Sequence, residues 1–139
     1  MKLFLDTSVI LAACGSATGS SRFIVDQAQS NSWTLLSSPW VLGEVVRNLP
    51  KLPASATSVW ARIRPRLHVV DDVVTLDRVV VFPASKDRPV LLTALASAQL
   101  LLTLDRDDFT GVLGSHFYGM PILLPSEFLT RERNAGRLK

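Results

Sequence analysis

The sequence predicts an α/β domain organised on a parallel sheet, and three observations carry that prediction. Short apolar runs (Lys2 to Leu5, Trp33 to Leu36, Leu67 to Val70, Val79 to Phe82, Leu100 to Leu104 and Ile122 to Leu124) alternate with segments of helical periodicity, the pattern of strands joined by crossover helices. Two of the runs end directly on an acid, Asp6 and Asp105. In open α/β sheets, ligands gather beyond the carboxyl ends of the strands, so a carboxylate there is placed for chemistry rather than packing. Finally, 139 residues at 47% hydrophobic composition supply one core and call for no second. Residues 1–139 read as a single domain without internal repeats.

Taken in order, Lys2 to Leu5 is a buried strand that runs straight into Asp6-Thr7-Ser8 and the apolar stretch Val9 to Ala13, giving strand, acid, helix. Ser8 is the expected N-cap, its hydroxyl accepting from free first-turn amides. The segment Gly15 to Ser21 is rich in Gly and Ser but lacks the lysine that a phosphate-binding P-loop places after its last glycine, so it reads as a connection. Arg22 to Ser30 carries Phe23, Ile24 and Ala28 at helical spacing. Ser38-Pro39 opens the next helix with a cap and a proline at the first position. Val41, Val45 and Leu49 share its buried face, with Glu44 at the edge of that stripe. Ser55 to Ile63 is a further amphipathic helix, stopped by Pro65. Val90 to Ala98 is an almost wholly apolar helix with Asp87 at its entrance. Pro125 begins a closing helix.

Composition narrows the chemistry. No apolar run reaches the eighteen or so residues of a membrane span, and the N-terminus lacks a basic region followed by a cleavable apolar segment. A soluble cytoplasmic protein with no membrane partner is the expectation. Cys14 is the only cysteine, so no internal disulfide forms, and it fits a small core residue. The net charge is +3; if Asp6, Glu44, Asp87 and Asp105 gather in one cleft, eight acids remain against 15 Lys and Arg elsewhere. An acidic cleft in a basic body suits a metal ion plus a polyanion, although ordinary solvated faces would give the same balance.

Each acid has a structural reading beside the functional one. Asp6 and Asp105 are turn or cap residues by one account; if their strands are parallel neighbours about 5 Å apart, the carboxylates repel unless a cation joins them. Asp87 suits the first turn of a helix. Glu44 has Arg47 three residues on as an ion-pair partner. Asp107 and Asp108 read as cap or loop residues, Asp108 with an outer contact to the site as its functional alternative. Strand alternation points Thr103 to the same face as Asp105, within reach of a carboxylate or water. His68 and His116 have no ligand-spaced companions, which argues against zinc. Carboxylates without His or Cys make a hard oxygen site suited to Mg²⁺ or Mn²⁺. Trp33, Trp40 and Trp60 are expected to pack, with base stacking as the alternative.

With these residues in view, the chain resembles the PIN domain, the nuclease family that includes the VapC-like toxins of toxin–antitoxin pairs. The resemblance spans nearly the whole chain. It rests on Phe4-Leu5-Asp6-Thr7-Ser8, on Ser37 to Val45, on Lys86-Asp87-Arg88-Pro89-Val90-Leu91, on Thr103-Leu104-Asp105-Arg106-Asp107-Asp108-Phe109, and on the ending from Phe117 to Leu129. It implies a three-layer α/β/α fold with a central parallel sheet. It also implies that Asp6, Glu44, Asp87 and Asp105 hold one or two divalent metals, with Thr103 in support. The implied reaction is hydrolysis of an RNA phosphodiester by an activated water, leaving a 5′-phosphate and a 3′-hydroxyl. A homodimer and a cognate antitoxin follow from the same resemblance. An RNA-processing nuclease without a toxin role and a non-catalytic RNA- or protein-binding module remain as alternatives. A phosphatase of the haloacid dehalogenase type needs a second Asp two residues after the first, where this chain has Ser8.

Overall fold

The computed structural model describes residues 1–73, 88–105 and 116–139. Its elements are β1 (Lys2–Leu5), α1 (Thr7–Gly15), α2 (Ser20–Gln27), β2 (Thr34–Ser37), α3 (Pro39–Asn48), α4 (Ser55–Ile63), β3 (His68–Val69), α5 (Arg88–Ser97), β4 (Leu100–Leu102), β5 (His116–Phe117), β6 (Met120–Leu123) and α6 (Pro125–Asn134). The strands form one sheet in the order β3-β2-β1-β4-β6-β5. The first five of these are parallel, and β5 runs antiparallel to β6. The result is the expected three-layer α/β/α arrangement on a parallel central sheet.

The topology follows from handedness. The chain builds outward on one side of β1 through β2 to β3, then crosses to the other side of β1 for β4 and β6. Right-handed crossovers travelling in opposite directions put their helices on opposite faces. Consistently, α1 packs against α2, α3 and α4, while α5 lies on β1 and β4. The strand order reverses between β1 and β4, which opens a crevice at their carboxyl ends.

Burial on both faces explains why the strands read as unbroken apolar runs. Leu3, Phe4 and Leu5 of β1 and Leu101 and Leu102 of β4 are fully buried, and register pairs Leu5 with Leu102. Trp33 meets Phe128 of α6 edge to face, with ring centroids 5.0 Å apart and planes at 68°, which ties the last helix to the start of β2. In α5, Val90, Leu91, Leu92 and Ala94 are buried, and Thr93 bonds the Pro89 carbonyl of its own helix while accepting from Val73 N.

Several expectations change at element ends. β4 stops at Leu102 rather than Leu104, because Asp105 N donates to the Thr103 hydroxyl at 3.0 Å and turns the chain. α2 begins at Ser20, inside the Gly/Ser-rich connection. Trp40 is not packed but 43% exposed, since Val41 and Val45 take the inward side of α3. The hairpin of β5 and β6 is an addition. Its two-residue loop, Tyr118 (φ 49°) and Gly119 (φ 86°), has the left-handed pair of conformations that a type I′ turn demands. The strand expected at Val79 to Phe82 lies outside the described residues.

Leu101→Ala should destabilise the protein by about 2–5 kcal/mol, because it opens a cavity in the buried core beside a central strand of the sheet. Val46→Ala, at a side chain 58% exposed, should stay within about 0.5 kcal/mol. Urea unfolding of both variants would check this; equal shifts in midpoint would contradict the assigned core.

Candidate functional site

The site begins where β1 and β4 end. Asp6 N donates to the Leu102 carbonyl at 3.0 Å and Thr103 N to the Leu123 carbonyl at 3.1 Å, so the ladder runs one residue past each strand. This places Asp6 beside Thr103, in the crevice at the reversal of strand order. Asp6 has extended backbone and its carboxylate Oδ1 accepts from Thr7 N at 2.8 Å. Asp6, and not Ser8, is therefore the N-cap of α1. Ser8, one residue inside the helix, points its hydroxyl back along the turn.

Three strand and helix ends converge on this one carboxylate. Thr103 Oγ1 donates to Asp6 Oδ2 at 2.7 Å and Ser8 Oγ donates to the same oxygen at 3.1 Å. Each hydroxyl is held in turn by a backbone amide: Asp105 N donates to Thr103 Oγ1 and Leu104 N donates to Ser8 Oγ, both at 3.0 Å. The Thr103 contact that strand alternation pointed to is present, but it arises from a turn and not from an extended strand. Among the described residues, two hydroxyls thus donate to Oδ2 and one amide donates to Oδ1.

Glu44 comes from α3 on the neighbouring side. Its Oε1 accepts from Thr7 Oγ1 at 3.1 Å, and among the described residues it forms no ion pair with Arg47. Thr7 therefore links the two acids, its amide on Asp6 and its hydroxyl on Glu44. Sequence reasoning missed this role; the signal available was a hydroxyl directly after the strand-ending acid. Asp105 is half-buried and its amide belongs to the same turn. Asp87 and Asp108, the remaining expected site residues, lie outside the described residues. Among the described residues, no group of three or more His, Cys, Asp or Glu is gathered to hold a metal ion. Arg22 is not a free surface cation; its Nε donates to the Ala13 carbonyl at 2.6 Å and closes the end of α1.

Asp6 is only 5% exposed. Burial pushes its carboxyl above the ordinary 3.8, outweighing the stabilising bonds from Thr103, Thr7 and Ser8, and the negative charge of Glu44 pushes in the same direction. The folded protein thus holds this proton to higher pH than the unfolded chain does. As pH rises from about 4 through the folded value, the unfolded chain ionises first, so stability falls and stays lower above it.

Comparison with known proteins agrees with this fold. The sequence profile of the PIN domain matches residues 2–107. No curated protein sequence matches the chain. Among solved structures, VapBC2 from Rickettsia felis bound to a DNA fragment from their promoter superposes with a TM-score of 0.61 at 16% identity, covering 88% of this chain and 97% of that one. VapC20 of Mycobacterium tuberculosis, a Sarcin-Ricin loop cleaving toxin, gives a TM-score of 0.46 at 19% identity, covering 76% of this chain and 91% of that one.

The metal-free protein should lose stability relative to Asp6→Asn, which has no ionisable group at that position, over the pH range above about 4. Unfolding in urea across that range, with the difference between the two proteins plotted against pH, is the measurement. Parallel stability curves would contradict the raised proton affinity of Asp6.

Proposed function

Because the chain belongs to the PIN-domain family, we propose that it is a cytoplasmic, metal-dependent ribonuclease that hydrolyses RNA phosphodiester bonds and serves as the toxin of a toxin–antitoxin pair. The observation that carries this reading is the Asp6 carboxylate, buried beside Glu44 at the reversal of strand order and already supplied with three hydrogen-bond donors. A buried acid so well solvated by the protein, yet with its proton affinity raised by burial and by a second acid, is poised for a cation.

The residues fit a hard divalent ion. Asp6 and Glu44 offer carboxylate oxygens, and among the described residues neither His nor Cys joins them. Asp6, Glu44 and Asp105 would hold Mg²⁺ or Mn²⁺, with Asp87 as the fourth acid and Asp108 in the outer shell. When bound, the ion acidifies water and neutralises charge that develops on the phosphoryl oxygens. The chain's own residues set the stage for that chemistry. Thr103 and Ser8 fix the plane of the Asp6 carboxylate, and Thr7 fixes Glu44, so neither acid must be ordered when RNA arrives. Burial keeps water away from the inner face of Asp6, which strengthens its attraction for a cation.

The partners under this reading are an RNA substrate, a VapB-like antitoxin and a second copy of the chain. The likeness in fold to VapBC2 supports the antitoxin.

Purified protein incubated with mixed single-stranded and structured RNAs should cut them with Mg²⁺ or Mn²⁺ and not with EDTA. Asp6→Asn and Asp105→Asn should each abolish cutting while the fold is retained. Thr103→Val, which leaves the ligands in place and removes only their support, should cost about 10–100-fold in metal affinity or rate. Full activity in either Asp variant at saturating metal would remove that residue from the site. RNA binding without turnover in any metal would favour the non-catalytic module.

A further inference from the structure

Along α3, Trp40, Gly43, Glu44 and Arg47 stand at spacings of three and four residues, which stacks them on one edge of the helix. Val41 and Val45 take the buried side. The edge borders the acidic crevice, which Glu44 enters through its bond with Thr7 Oγ1 at 3.1 Å. Trp40 lies one turn before that acid. It is 43% exposed, whereas Trp33 is buried and Trp60 half-buried. An exposed indole offers a π-face on which any nucleobase can stack.

The backbone beneath Trp40 is held from outside the helix. Ser38, the expected cap, makes no side-chain cap bond. Instead, the Asp72 carboxylate reaches over from the segment after β3 and accepts from Trp40 N through both oxygens, at 3.2 and 3.1 Å. The helix start therefore already has its negative charge, and what it presents to a ligand is the indole. At the other end of the edge, Arg47 is exposed and forms no ion pair or hydrogen bond among the described residues. Its side chain runs back toward the start of the helix, as long helical side chains do, and Nη1 lies 3.3 Å from where a Cβ on residue 43 would stand. Glycine is a poor helix former; at position 43 it leaves room for this guanidinium on the Trp40 side of its own turn.

We propose that this edge of α3 is the track of the RNA strand through the site: a nucleobase stacks on Trp40, and the Arg47 guanidinium takes a backbone phosphate about 10 Å further along the helix, with the scissile bond between them at Glu44. The inference rests on the ribonuclease reading and deepens it by naming how the substrate is held. Single-stranded RNA is the class that fits, because a base must be unpaired and splayed out to stack on a side chain. Stacking carries no charge, so it holds the strand at a place where Asp72 and Glu44 would repel a phosphate.

The test measures binding of a short single-stranded RNA in an Asp6→Asn background, so that the RNA stays intact. Adding Trp40→Ala should raise Kd about 5- to 150-fold with the salt slope unchanged, and Trp40→Phe should keep most of the affinity. Arg47→Gln should lower the salt slope by about 0.7. RNAs with an abasic site at each position in turn give a readout that does not depend on how the variants fold. At one position, loss of the base should weaken binding to the Asp6→Asn protein and cancel the effect of Trp40→Ala. Unchanged affinity with Trp40→Ala, or an effect that persists at every abasic position, overturns the proposal. So does a Trp40→Ala protein that binds RNA as before but shifts between dimer and monomer, which would make this edge a contact between copies of the chain. A wild-type chain that cuts RNA, with Trp40 variants that bind and cut equally well, sinks the track and leaves the ribonuclease reading standing. Base-dependent binding through Trp40 by a chain that cuts nothing does the reverse.

Discussion

The rest of this structure depends on one constraint, a carboxylate buried at the point where β1 gives way to α1. An acid with 5% exposure survives there only because the protein replaces lost water with donors. Those donors come from parts of the chain far apart in sequence: Thr7 and Ser8 on the helix that Asp6 caps, and Thr103 after β4. The hydroxyls of Ser8 and Thr103 are themselves pinned by the amides of Leu104 and Asp105. The turn that carries Asp105 is thus built by the same bonds that hold Asp6. Orientation of the acid and termination of the strand are a single event.

Burial nevertheless wins over these bonds, since the Asp6 proton is held more tightly than in water, and Glu44 adds to the effect. A network made only for stability would gain from replacing such a group with an apolar one. Keeping an acid that is awkward without a counter-ion, in the crevice where strand order reverses, makes sense when a cation completes it. The parallel sheet supplies the geometry, because β1, β2 and β4 all present their carboxyl ends on the same edge.

Much of this was legible in the sequence. Strands buried on both faces must be apolar throughout, so Leu3 to Leu5 and Leu100 to Leu102 announced themselves, and the aspartates beyond them marked the edge where ligands gather. Pro39 fixed the start of α3, and the edge position of Glu44 beside Val41 and Val45 brought it toward Asp6. The local hydrogen bonding was less readable. Whether Asp6 or Ser8 capped α1 depended on which side chain Thr103 and Leu104 approached, a contact nearly a hundred residues away. The end of β4 turned on a Thr103 hydroxyl that no periodicity encodes, and the hairpin of β5 and β6 is too short to show alternation. Trp40 was expected to pack because aromatic residues usually do, but its place at the solvent side of α3 left it exposed.

Direct measurement of Mn²⁺ binding by the purified chain, by electron paramagnetic resonance or calorimetry at neutral pH, tests the central claim without requiring the target RNA. The account predicts a saturable Mn²⁺ site in the wild-type protein that Asp6→Asn loses while its fold is intact. Equal binding by the two proteins, or none by the wild type, would contradict it.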